Sequence, residues 1–140
     1  MSKRTKVFLA GVMQGSRSGL EIENQDYRKL IPAIFERKAP GVEIFDPFAQ
    51  HNDSVHYDDA TAYQVFHEHL EYARGVKVLI AYLPSASMGT AIEIFEAKRS
   101  GALVWTITPL HSNWVVRMFS DEIFGSINEF DNWLTPDKLP

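Results

Sequence analysis

The 140-residue sequence predicts an α/β fold, with a mostly parallel five-stranded sheet between two layers of helices. Two observations carry that expectation. Short, continuously apolar runs, the mark of strands buried on both faces, alternate four or five times with segments of helical period. The first three runs each break into a loop rich in polar residues, and a parallel sheet gathers such loops at the carboxyl edge of its strands, where ligands bind. Hydrophobic residues make up 45% and charged residues 23%, which fits one soluble domain spanning residues 1–140. No apolar run reaches the roughly 18 residues of a membrane span, and no signal-peptide core precedes the first strand, so a cytoplasmic protein with no membrane partner is expected. The absence of cysteine excludes disulfides and thiolate metal sites. A formal charge of −4 argues against nucleic acid as a partner but allows a small anionic ligand held by local groups.

The elements follow in order. Residues 6–11 read as the first strand, and residues 11–19 as a loop of glycine and serine. Backbone amides, Ser16, Ser18 and Arg17 of that loop could hold a phosphate or ribose, although it is neither GxGxxG nor a P-loop. Asn24 to Lys38 forms the first helix, capped by Asn24, with Tyr27, Leu30, Ile31, Ile34 and Phe35 as its inward stripe and Pro32 as a candidate bend. Residues 42–46 make the second strand. Residues 48–60 are polar without a period and read as a surface loop. Within that loop His51, Asp53, His56, Asp58 and Asp59 resemble metal ligands by type, but no known metal spacing is present and no metal is expected. Thr61 to Arg74 is the second helix, placing Val65, Phe66, His69, Leu70 and Ala73 on one face. His67 and His69 point apart and cannot pair on a metal. A histidine such as His69 is ordinarily a hydrogen-bonded core residue.

The third strand, residues 77–83, breaks at Pro84 into a small-residue loop that opens a helix carrying Glu93. A helix N-terminus offers amides and partial positive charge, so a carboxylate there is expected to stay ionised, as suits a nucleophile or a sugar-hydroxyl acceptor. The plainer role for Glu93 is to complement the helix dipole. Ile92, Phe95 and Ala97 are expected to pack inward, with Gly101 as the stop. A fourth strand at residues 103–108, a short helix at 113–119, a short strand at 122–126 and a closing helix at 127–134, with Phe130 and Trp133 facing in, complete the chain. Exposed aromatics near Trp114 and Phe119 suit a subunit interface.

Several of these stretches resemble the nucleoside 2-deoxyribosyltransferase family, which includes 2'-deoxynucleoside 5'-monophosphate N-hydrolases. They are Val7 to Gly11, His67 to Tyr72, Val78 to Leu83, the run from Ser87 through Gly89 to Glu93, and Gly101 to Val104. The resemblance covers about residues 6–113. It implies a flavodoxin-like, Rossmann-like three-layer sandwich that works as a homodimer or higher homo-oligomer and needs no cofactor.

The resemblance further implies double displacement at the anomeric carbon of a nucleoside or nucleotide. Glu93 matches the family nucleophile that forms a glycosyl ester, which water or a second base resolves. Ser87 stands where the nucleoside transferases carry an aspartate; its hydroxyl can donate to a 5'-phosphate, with Ser16 and Arg17 as helpers. Gly11 and Gly89 belong to the matching loops. His69 replaces a family aspartate and is the candidate proton donor, while Phe8 replaces a frequent tyrosine. Lys77 replaces an aspartate at a strand start. Asn113 and Arg117 lie in the region through which a neighbouring subunit completes the site in related enzymes. The expected function is cleavage or transfer of an N-glycosidic bond. A nucleotide-binding protein that has lost catalysis on the same scaffold is the alternative, and a hydrolase built on Asp53, His56, Asp58 and Asp59 is a third reading.

Overall fold

A computed structural model describes residues 4–12, 25–50 and 54–140, apart from the side chains of 50 and 54. The described residues form five strands: β1 (Lys6–Gly11), β2 (Glu43–Phe45), β3 (Val78–Tyr82), β4 (Leu103–Ile107) and β5 (Glu122–Phe124). They lie in one sheet ordered β2-β1-β3-β4-β5, and every neighbouring pair is parallel. The helices are α1 (Tyr27–Lys38), α2 (Pro47–Gln50), α3 (Asp59–Gly75), α4 (Met88–Arg99), α5 (Trp114–Phe119) and α6 (Ile127–Trp133). The chain leaves β1 for β2 on one side and returns to place β3 on the other. The carboxyl ends of β1 and β3 therefore flank the switch in strand order, the crevice where open α/β sheets bind ligands.

Alternation along the strands sends side chains to two separate cores. Val7, Leu9, Val78 and Ile80 meet Tyr27, Ile31, Ile34 and Phe35 of α1 and Phe130 of α6. Phe8, Ala10, Leu79 and Ala81 meet Ala73 of α3, Ile94 and Ala97 of α4 and Val116 of α5. Gly41 and Gly101 take positive φ where the chain turns after α1 and α4, a conformation that side chains beyond glycine rarely adopt.

The fold and most elements match the expectation, and the differences have local causes. Helix α1 begins at Tyr27, after Asp26, and Asn24 lies outside the described residues. It runs through Pro32 without interruption, and Leu30 of the expected stripe is half exposed. The segment read as a loop before residue 61 carries α2 and a 3₁₀ turn at Ser54–His56. Pro47 suits a first helical position, and Asp46 caps the turn by accepting from the Phe48 amide at 2.9 Å. Helix α3 starts two residues early because the Asp58 carboxylate accepts from the Thr61 amide at 2.7 Å. On α4 the buried residues are Thr90, Glu93, Ile94 and Ala97, whereas Ile92 and Phe95 are exposed. Phe119 is half-buried, its ring edge-on to Phe95 at 5.7 Å, so Trp114 alone of the pair is an open aromatic surface. Among the described residues no helix is long and apolar enough to cross a membrane.

Candidate active site

The site begins where α4 meets the sheet. On this face the side chains of β1 and β3 shrink toward the carboxyl edge, from Phe8 and Leu79 to the paired Ala10 and Ala81. The small pair lies in the same core as Ile94 and Ala97 of α4 and lets that helix pack close to the sheet. Ser87 caps that helix, accepting from the Thr90 amide at 3.2 Å, and its hydroxyl lies 2.9 Å from that of Thr90. The preceding loop is tied down from β4. The Thr108 hydroxyl, 1% exposed, donates to the Leu83 carbonyl at 2.7 Å and accepts from the Leu110 amide at 2.9 Å. The Leu83 amide donates to the Ile107 carbonyl at 2.9 Å.

Glu93 lies in the second turn of α4 and is 6% exposed. Burial pushes its carboxyl up to about 8, and the charge of Arg28 pulls the other way. The sequence-based expectation of a carboxylate that stays ionised is therefore corrected. Desolvation of the charged form outweighs a helix terminus whose first turn lies one turn away. Among the described residues no hydrogen-bond donor offsets that penalty.

Across the switch point lies a second cluster that sequence reasoning did not assign to the site. Arg28, buried in the first turn of α1, donates from Nε to Gln25 Oε1 at 2.7 Å and from Nη1 to Asp46 Oδ1 at 2.5 Å. Its guanidinium lies between the rings of Tyr27 and Phe48, 4.8 and 5.2 Å from their centroids. Tyr27 packs on Tyr82 at 4.6 Å, and its hydroxyl donates to the Val12 carbonyl at 3.2 Å. Burial drives the Tyr27 phenol well above its ordinary range, and Arg28 opposes the shift while Asp46 and Glu93 add to it. A Cβ at Gly11 would come within 2.3 Å of the Tyr27 hydroxyl, so close packing explains this glycine without a ligand. The available signal was positional. Tyr27 and Arg28 directly follow the segment after β1, and Asp46 directly follows β2, at the edge where a parallel sheet places its ligand.

The other candidates fall as follows. Phe8 is fully buried beneath α3 and tilts against Phe45 at 5.4 Å. His69, half-buried on α3, lies edge-on to Phe45 at 6.1 Å, and Phe45 stacks on Tyr72 at 3.8 Å. Gly89 has ordinary room for a side chain, with Phe66 at 3.7 Å from a Cβ built there. Asn113 caps the short α5, accepting from the Val115 and Val116 amides at 2.9 and 3.3 Å, and Arg117 is exposed on the same helix. Ser16, Arg17, Ser18, His51 and Asp53 lie outside the described residues. Asp58 is occupied as the α3 cap, and no cluster of three metal-ligating side chains occurs among the described residues.

Comparison with solved structures gives the same architecture. A 2-deoxyribosyltransferase from Bacillus psychrosaccharolyticus superposes with a TM-score of 0.65 at 16% identity, covering 93% of each chain. A conserved protein from Enterococcus faecalis V583 does so with a TM-score of 0.63 at 15% identity, covering 92% of this chain and 96% of its own. No family model and no curated protein sequence matches the chain. The likeness establishes a shared α/β fold.

Proposed function

We propose that the protein cleaves or transfers the N-glycosidic bond of a (deoxy)nucleoside or nucleoside 5'-monophosphate, with Glu93 as the nucleophile at C1'. One observation carries this reading above the rest. A buried carboxyl, Glu93, sits on α4 beside the switch point of the sheet. Burial of a carboxyl at the edge where such sheets bind ligands, with its charged form disfavoured by desolvation, is the kind of perturbed titratable group that functional sites collect. The fold likeness to a 2-deoxyribosyltransferase supports the same chemistry.

In the first step the deprotonated form of Glu93 bonds through one carboxylate oxygen to C1', and the bond from C1' to the base nitrogen breaks. The electron pair leaves with the base, which takes up a proton. His69 is the proposed donor of that proton. In the second step water or an acceptor base attacks C1', its proton passes to the His69 imidazole left neutral by the first step, and the bond from C1' to the Glu93 oxygen breaks to release the carboxylate. Because the oxocarbenium-like transition state is cationic, the ionised carboxylate gains most when the bond is half broken. Ser87, at the head of α4, is assigned to the 5' substituent, together with Ser16 and Arg17.

The exposed apolar side chains Met88, Ile92 and Phe95 of α4 and Trp114, Val115 and Met118 of α5 support a homo-oligomer joined through these helices. Sedimentation equilibrium tests it, and a monomer mass at high loading concentration refutes it.

The test of function is base release, measured by chromatography, from ribo- and deoxyribonucleosides and their 5'-monophosphates, with and without an acceptor base. Glu93→Ala is expected to reduce release by at least about a thousandfold. Intact protein that leaves the whole panel untouched overturns the reading. Ligand-induced thermal stabilisation without turnover would then favour a binding protein whose chemistry is lost at His69.

A further inference from the structure

We propose that Gln25, Arg28 and Asp46 form a clasp that couples the chain segments after β1 and β2 at the ligand-binding edge of the sheet. Arg28 is its positioning residue. The bearing of the clasp on substrate rests on the function proposed above, whereas the coupling of the two segments does not.

A continuous series of hydrogen bonds runs from β3 to α2. The Val12 amide, just past β1, donates to the Tyr82 carbonyl at the end of β3 at 3.3 Å. The Val12 carbonyl accepts from Gln25 Nε2 and from the Tyr27 hydroxyl, each at 3.2 Å. The chain that leaves β1 at Val12 and returns at Gln25 is therefore tied together at its base. Gln25 Oε1 accepts from Arg28 Nε at 2.7 Å, and Arg28 Nη1 donates to Asp46 Oδ1 at 2.5 Å. The same Asp46 oxygen accepts from the Phe48 amide at 2.9 Å, where the chain leaves β2 for α2. In this series Arg28 is the link between the two segments.

Place, burial and orientation separate this pair from the other arginine–carboxylate pairs among the described residues. Arg37 with Asp131, Arg74 with Glu71 and Glu96, and Arg99 with Glu96 join one helix to another or bridge a turn of one helix. The clasp lies instead at the carboxyl ends of β1 and β2, beside the switch in strand order. The Arg28 and Asp46 side chains are 6% and 15% exposed, whereas Arg37, Arg74 and Arg99 are 57%, 35% and 59% exposed. Taking both ions out of water is costly, and apolar side chains of similar size would fill the space without that cost. What the ions add is direction. A guanidinium bonded at Nε and Nη1 and flanked by the Tyr27 and Phe48 rings is held in one orientation, which sets where Val12 and Phe48 stand relative to each other.

The experiment is amide hydrogen exchange, read by NMR at Val12 and Phe48 of the full chain, in wild type, Asp46→Asn, Arg28→Lys and the double variant. Asp46→Asn weakens the bond to Arg28. It should speed exchange at Phe48 beside it and also at Val12 across the clasp, by about fivefold or more at each. Arg28→Lys, which offers one nitrogen in place of two spaced donors, should act likewise at both amides. The double variant should match the stronger single variant, because both changes cut the same link. Arg37→Met, on the exposed pair with Asp131, is the control and should change neither amide. A Val12 amide that exchanges as in wild type in Asp46→Asn overturns the proposal, and so does a double variant in which the two effects multiply. Should either single variant fail to fold, the other decides alone. Against the base-release panel, both variants should raise KM by about tenfold with kcat within about threefold, the split expected when binding is loosened and the chemistry is kept. Equal falls in kcat and kcat/KM overturn the positioning role. Intact protein that turns over nothing refutes the glycosidic function, and the exchange result still decides the clasp.

Discussion

The two faces of the sheet are built from different materials. The α1/α6 face is aromatic: Trp105, Phe35, Phe124, Phe130 and Trp133 interlock with ring centroids between 5.0 and 6.5 Å apart. The α3/α4/α5 face is lined by Ala10, Ala73, Ala81, Ala97 and Ala102, and it holds the buried polar groups Thr90, Glu93 and Thr106. Large rings bury the most area per residue and fix one packing arrangement. Small residues bury less but let a helix approach closely enough to seat a carboxylate under it. The aromatic face is expected to carry more of the stability, and each face buries one charge-bearing group, Arg28 with Asp46 beside α1 and Glu93 under α4.

Three substitutions probe that division, beginning with the largest expected effect. Phe130→Ala, at a fully buried ring touching four other aromatics, should destabilise the protein by about 3–5 kcal/mol in urea unfolding. A loss below about 1 kcal/mol would break the view that this face carries the stability.

Glu93→Gln should act in the opposite direction. The Glu93 carboxyl titrates near 8 in the folded chain and near 4.5 when exposed, so the folded state holds its proton more tightly. That contribution is fully present below pH 4.5 and is lost as pH rises to about 8. Wild type should therefore weaken across this window relative to Glu93→Gln, by on the order of a few kcal/mol at its alkaline end. Urea midpoints for both proteins at pH 5 and pH 9 check it, and parallel profiles would show that Glu93 carries no such burden.

Ala81→Val should cost about 1–3 kcal/mol by overpacking the small-residue floor, and it should impair base release by displacing α4. Unchanged stability and activity would show that the floor is not filled.

The sequence made the sheet legible because parallel strands buried on both faces read as apolar runs, and the β1, β3 and β4 runs are of that kind, whereas the edge strand β2 carries Glu43 and is only partly buried. It was a poor guide to the facing of α4. Met88, Ala91, Ile92, Ile94, Phe95 and Ala97 make that helix apolar nearly all round, so its period is ambiguous. The inward stripe also contains Glu93, which pattern reading assigns to solvent. Glu93 itself stood out through its loop context, but its protonation did not, because desolvation depends on what packs over it. Arg28 and Asp46 escaped notice for a related reason. They lie 18 residues apart, and each alone looks like an ordinary surface charge.

The Thr108 hydroxyl gives the site an asymmetry of its own. By bridging the Leu83 carbonyl and the Leu110 amide it joins the loop ahead of α4 to the loop after β4. Those backbone groups are thus satisfied before any ligand arrives. The Ser87 wall therefore behaves as a fixed jaw whose conformational entropy is spent during folding rather than during binding. In the proposed function, a substrate reaching Ser87 would meet a loop already ordered by folding and would spend little of its binding energy on ordering it.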